Sequence, residues 1–312
     1  MRIPLSSLRI ASNPHLRFNV LSLVLLTSFA LASSSPTQTS SNGGDLGFYN
    51  PTSNGGSWLT DWPNWWAGGE PLNIIISSTS SPRIIQDFNV FLDYMNSLKF
   101  SRQCFQWDDG SGIQQANLGD GLGAVNQTTI LRYNYDDPVF GTCSQSLQGG
   151  NHLRVFKQNG TQANSGAWFL AVSKEHNLAK NHMIVPNGYD RGRDELIELA
   201  LNRNGTRSPI SKALYRTTVR SVSGQGYFEN VTMDEINHGI SIDGRIGVLK
   251  VEIVEEGNGD TASSNWFTSI TLTEFLLIVG ITVLLILSLG LFLFIHYHHN
   301  KLKLSSLLLG RR

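Results

Sequence analysis

Acidic side chains are missing from both ends of this 312-residue chain: none of its 24 Asp and Glu residues precedes Asp45 or follows Glu274. Lys and Arg number three in 1–32, 17 in 33–274 and four beyond 295, so the middle carries a net −7 while both ends are purely cationic. A net acidic body excludes a general nucleic-acid binder, which needs a basic face to meet phosphates. Complete catalytic signatures are missing as well. The chain holds no H-E-x-x-H, no G-x-S-x-G and no P-loop, and no internal repeat. Cysteine is scarce: Cys104 and Cys143 are the only two, and in an oxidising compartment they read as one disulfide rather than a reactive thiol or a zinc pair.

Against these absences stands one long apolar run. Phe275 to Ile295 is 21 residues without a charge, about 30 Å as a helix, which matches the hydrocarbon core of a bilayer. At the other end Arg2, Arg9 and Arg17 precede a shorter apolar core, Phe18 to Leu31, that exits through Ala30-Leu31-Ala32. That order is the pattern of a secretory signal peptide over 1–32. Four acceptor sequons, at Asn126, Asn159, Asn204 and Asn230, all lie between the two apolar segments. Lys301, Lys303, Arg311 and Arg312 follow the long run, and Glu255, Glu256, Asp260 and Glu274 precede it. Positive flanks stay cytoplasmic. The expectation is a single-pass glycoprotein at the cell surface or in a secretory membrane, N-terminus outside, with a basic cytoplasmic tail at 296–312. The histidines there, His296, His298 and His299, read as an interfacial belt beside Tyr297.

Between signal and anchor the chain divides into a Ser/Gly-rich flexible lead (33–57), an ectodomain (58–256) and a polar stalk (257–274). Trp58, Trp62, Trp65 and Trp66 open the ectodomain. Exposed, they would suit a carbohydrate or protein partner; packed, they form a lid over the domain's edge. Leu72–Ile76 reads as a buried strand, and Ser81-Pro82 opens one amphipathic helix that runs to about Lys99. Strands are expected at 102–107, 128–133, 152–156, 167–172, 182–185, 213–222 and 244–254, and a helix at 190–201 with Asp190 as N-cap. In the strand at 244–254, alternation only in part means burial on both faces or a bulge. The Gly/Asp-rich stretches 108–112 and 119–123 lack EF-hand and dinucleotide spacing and read as turns. The sum is an α+β ectodomain, a mixed and largely antiparallel sheet with two main helices packed on it, plus one C-terminal transmembrane helix.

What remains is a polar group within apolar elements. His152 and Arg154 share one strand face by the two-residue period, His182 precedes a turn, and Asp190, Arg193 and Asp194 open a helix. On a buried face the first two need partners, which the helix-start aspartates could supply. The His152-x-Arg154 strand, the strand Trp168-Phe-Leu-Ala-Val-Ser173, then His182 and Asp190-x-x-Arg193-Asp194 resemble the C-terminal domain of LssY-like proteins over about residues 150–200, and plausibly from Leu72. That resemblance implies association with membranes and no settled activity; some members are joined to lipid-phosphatase-like membrane domains. Two functions follow. In one, the polar group is a structural network in a binding ectodomain. In the other, a phosphoesterase-like hydrolase uses His152 or His182 as general base, with Arg154 or Arg193 on an anionic group. No cofactor and no metal is assigned.

Overall fold

The computed structural model describes residues 44–63, 68–102, 104, 112–138, 140–224, 226–258, 280–293 and 296. The signal segment, Trp65, Trp66, most of the loop at 108–112, the stalk beyond 258 and the basic tail after 296 lie outside the described residues. Among the described residues there are ten strands: β1 (Ile74–Ile76), β2 (Phe100–Arg102), β3 (Gln115–Asn117), β4 (Ala124–Asn126), β5 (Thr129–Tyr133), β6 (Gly150–Lys157), β7 (Trp168–Glu175), β8 (Thr206–Arg207), β9 (Leu214–Val222) and β10 (Ile246–Glu255). The helices packed with them are α1 (Pro82–Gln86), α2 (Phe88–Ser97), α3 (Gly141–Gln148) and α4 (Gly188–Ala200).

Eight strands form one sheet in the order β2-β5-β6-β7-β1-β10-β9-β8, antiparallel throughout except where β1 runs parallel to β10. β3 and β4 form a separate hairpin. The expected α+β class with a mixed, mostly antiparallel sheet is what the chain adopts. The period of two sorts β1 between two cores. Ile74 and Ile76 join Leu153, Val155, Leu170, Val172, Leu249 and Val251 under α2 and α4. Ile75 faces the other way, with Phe156, Phe169, Ala171 and Val248. Both faces of the central strands are therefore covered, which explains their unbroken apolar runs. In β10 the expected irregularity is a register shift between Ile253 and Glu255.

Several expectations change. The helix read over 82–99 is two, broken at Asp87, whose carboxylate accepts from the Asn89 N–H at 2.9 Å and caps α2. Asn187, not Asp190, is the N-cap of α4, and Asp190 sits in its first turn. The strand expected at 182–185 is a single bridge from Ile184 to Glu175. The lead read as flexible over 33–57 contributes Phe48 to the second core, packed edge-on against Trp58 and Phe169. Glycine at 192 sets the spacing of α4 and β7: a Cβ there would lie 2.7 Å from the Ser173 carbonyl carbon. Residues 280–293 are helical with exposed apolar side chains such as Leu284 and Ile286. Among the described residues no helix is long and apolar enough to cross a membrane; the run at 275–295 is described only over its middle.

Candidate functional site

Register decides which polar side chains meet. Arg132 of β5 pairs with His152 of β6, and His152 with Ser173 of β7. All three therefore project from the sheet face that carries the second core, as do Arg154 and Glu175 two residues along their strands. Arg132, His152, Arg154, Ser173 and Glu175 are buried. Burying so much polarity requires that the groups satisfy one another, and two carboxylates organise them.

Glu175 is the first. Its Oε2 accepts from Arg132 Nη1 and from Gln145 Nε2, both at 3.0 Å. Its Oε1 lies 3.2 Å from His152 Nδ1, which also meets Ser173 Oγ at 2.8 Å. His182 Nδ1 stands 3.8 Å from Oε2, beyond hydrogen-bond reach. His182 is held there by a loop in which Asn181, His182 and Asn187 all take positive φ, a conformation that non-glycine residues adopt only under constraint. Glu70 is the second carboxylate. It receives Arg154 Nε at 3.3 Å and Gln114 Nε2 at 2.7 Å. The Arg154 Nη1 donates further, to Gln127 Oε1 at 2.8 Å and the Gly112 carbonyl at 3.1 Å, and its guanidinium lies over the Trp62 ring.

Burial, then the nearby Arg154, Arg132 and His182, holds His152 well below its ordinary range, so the ring is neutral at neutral pH. Burial raises Glu175 above its ordinary range, opposed by Arg132 and Gln145. Burial, aided by the field of Glu70, raises Tyr189 beside them, and that phenol stays protonated. The His152 Nε2 is buried without a hydrogen-bond partner. Among the described residues no group of three or more His, Cys, Asp or Glu side chains is arranged to hold a metal ion.

Asp190, Arg193 and Asp194 belong to a different cluster. Arg193 is only 2% exposed. It grips Asp243 bidentately at 2.6 and 2.8 Å, donates to Asp194 at 2.8 Å and to Asp190 at 3.2 Å, and also reaches the Arg245 carbonyl. Burial works to lower the Arg193 pKa, but these hydrogen bonds outweigh it and the group is held above its ordinary range. Asp243 is pulled below its range by Arg193 and Arg245 in spite of burial. Asp190 moves up through burial and accepts the Asp243 N–H. The cluster pins the first turn of α4 to the chain entering β10.

The structure thus joins His152, Arg154 and His182 through Glu175 and Glu70, and leaves the helix-start aspartates out. The partnership expected between those aspartates and His152 or Arg154 is replaced by one with carboxylates the sequence reading passed over. Glu175 carried a signal, since it lies two residues past Ser173 on the same strand face. Glu70 carried none, because it sits before β1 and 84 residues from Arg154. Cys104 and Cys143 form the expected disulfide. Trp58 is buried in the second core with its indole donating to the Gly226 carbonyl, which fits the lid reading. Asp120, in the glycine-rich turn, is buried and accepts from the N–H groups of Asn159, Gly160 and Leu122, so its carboxylate serves turn geometry. Comparison of the chain with models of protein families, with curated proteins and with solved structures finds no match.

Proposed function

We propose that the chain is a single-pass membrane glycoprotein whose α+β domain faces away from the cytosol and serves binding, with its buried polar clusters acting as architecture. One observation carries this reading over catalysis. Arg154 and Arg193, the cations a phosphoester site would need free, are both 2% exposed and engaged by Glu70 and by Asp190, Asp194 and Asp243. To seat a phosphate, either would have to break a buried pair at a cost of about 3–5 kcal/mol. The LssY-like resemblance, the segregated charges and the exposure of Asn126, Asn159, Asn204 and Asn230 support the same placement.

The hydrolase reading has one observation in its favour. His152 Nδ1 faces Glu175 and Ser173 while Nε2 has no partner, which is how a general base is oriented. Full-length protein, solubilised and purified, is therefore assayed against phosphomonoesters, phosphodiesters and carboxylic esters. No turnover above background is expected, and none that changes in His152→Gln. Turnover that disappears in a folded His152→Gln variant overturns the binding reading.

A further inference from the structure

A groove of about 900 Å³ opens on the α4 side of the sheet, at the end where β5, β6 and β8 meet the second half of α4. That volume is in the upper part of the range for small-molecule sites. Its lining is polar and aromatic: Tyr133, Tyr135, Asn151, Glu198 and Asn202 all contribute. Tyr135 is 40% exposed yet fixed, with its hydroxyl donating to the Gly149 carbonyl at 2.6 Å and its ring edge-on to Tyr133 at 5.0 Å. Tyr135 and Asp136 both hold positive φ, so the turn presents that ring at a conformational cost. Asn151, 4% exposed, donates to the Gly192 carbonyl, while its Oδ1 has no hydrogen-bond partner. Asn151 thus closes the floor of the groove beneath the more exposed Asn202 and Glu198.

The charges narrow the ligand. The three cations of the lining are already neutralised: Lys99 by Asp136 at 2.8 Å, Lys174 by Glu195, and Arg207 by Glu255 at 2.7 Å. Glu198 is exposed and makes no ion pair among the described residues. A phosphate or acidic polymer would meet an unpaired carboxylate and no free cation. A rigid aromatic face beside amides and a carboxylate instead suits a ligand with apolar C–H faces and many hydroxyls.

We propose that this groove binds a short neutral saccharide, stacked on Tyr135 and hydrogen-bonded at Asn202 and Glu198. The inference rests on the binding reading above and names its ligand class. Two sources offer that chemistry. Asn204, an exposed sequon residue, adjoins Gly205 on the groove's rim, so the saccharide is either the chain's own glycan or one from another molecule.

The test titrates full-length protein, in a non-glycosidic detergent, with neutral gluco-, manno-, galacto- and chito-oligosaccharides, reading affinity by calorimetry. Wild-type and Asn204→Gln proteins are compared. Binding to both assigns the groove to a separate saccharide; binding only after Asn204→Gln assigns it to the chain's own glycan. When Tyr135→Asn, which removes the ring and tolerates positive φ, is added to Asn204→Gln, the Kd is expected to rise about tenfold. Glu198→Gln, at an exposed position, is expected to weaken binding about threefold through a lost charge-assisted bond. The proposal is overturned if no neutral oligosaccharide binds Asn204→Gln protein, if adding Tyr135→Asn to Asn204→Gln leaves the Kd unchanged, or if an acidic oligosaccharide binds better than its neutral counterpart. Ester turnover would remove the binding reading and leave the groove's result standing, so the two failures are distinguishable.

Discussion

Glu175 and His152 are 3.2 Å apart, yet burial moves them in opposite directions on the pH scale, and that opposition is measurable. An unfolded histidine takes a proton near its ordinary value of 6.5 while folded His152 refuses it until far lower pH. Below 6.5 the unfolded chain therefore binds more protons, and stability falls as pH is lowered. For Glu175 the sign reverses. Its folded carboxyl protonates before the unfolded one near 4.5, so stability is gained as pH falls through the raised folded value and is complete below 4.5. Below pH 6.5 the two slopes oppose each other, and the share that belongs to His152 approaches about 1.4 kcal/mol per pH unit. On going from pH 7.5 to 5.5, the urea-unfolding midpoint should therefore shift further downward in wild type than in His152→Gln. An equal shift in both would place the titration elsewhere. Any overall destabilisation of the variant does not enter, because only the difference between the two pH values is read.

At the level of elements, α3 joins the disulfide to the buried site. Cys143 and Gln145 lie on the same short helix, so the bond to Cys104 restrains the residue that donates to Glu175 and accepts from Arg132. The bridge spans 39 residues of chain, for which the loop-entropy relation gives about 4 kcal/mol. Paired Cys104→Ala and Cys143→Ala substitutions should lower unfolding free energy by roughly 3–4 kcal/mol. Amide exchange should also quicken first in Gly141–Gln148, while β6 and β7 stay protected. If exchange quickens equally throughout the sheet, α3 is not the element the bridge secures. This helix also shows where sequence reading stops. Its residues, GTCSQSLQ, carry one large apolar side chain and no helical stripe, so nothing local announces it. The long strands β6, β7, β9 and β10 were legible because alternating or continuous apolar runs need no knowledge of neighbours. The break at Asp87 was not, since the apolar spacing from Ile84 to Leu98 continues straight through it. The face shared by His152 and Arg154 followed from the strand period, whereas their partners depend on the β6–β7 register and on a residue from before β1.

For the molecule as a whole, the proposed placement requires that the four sequon asparagines be accessible, and all four are exposed. An asparagine in a core strand could not be an acceptor in the folded state, and four independent sites escaping burial is what a domain matured in the secretory pathway requires. The packed chain runs from about Phe48, a core residue, to the end of β10 at Glu255. A truncation that keeps residues 1–258 should therefore retain the described core residues and lose the rest of the stalk, the proposed anchor and the basic tail. Expressed in eukaryotic cells, that form should appear in the medium, fold with its disulfide, and shift in mobility on glycosidase treatment. Full-length chain should stay with the membrane pellet after alkaline extraction. Protease added to intact microsomes should remove only the basic tail at 296–312, because positive flanks remain on the cytosolic side. Release of the full-length chain by alkali would remove the anchor at 275–295. Digestion of the domain in intact microsomes would overturn the proposed topology.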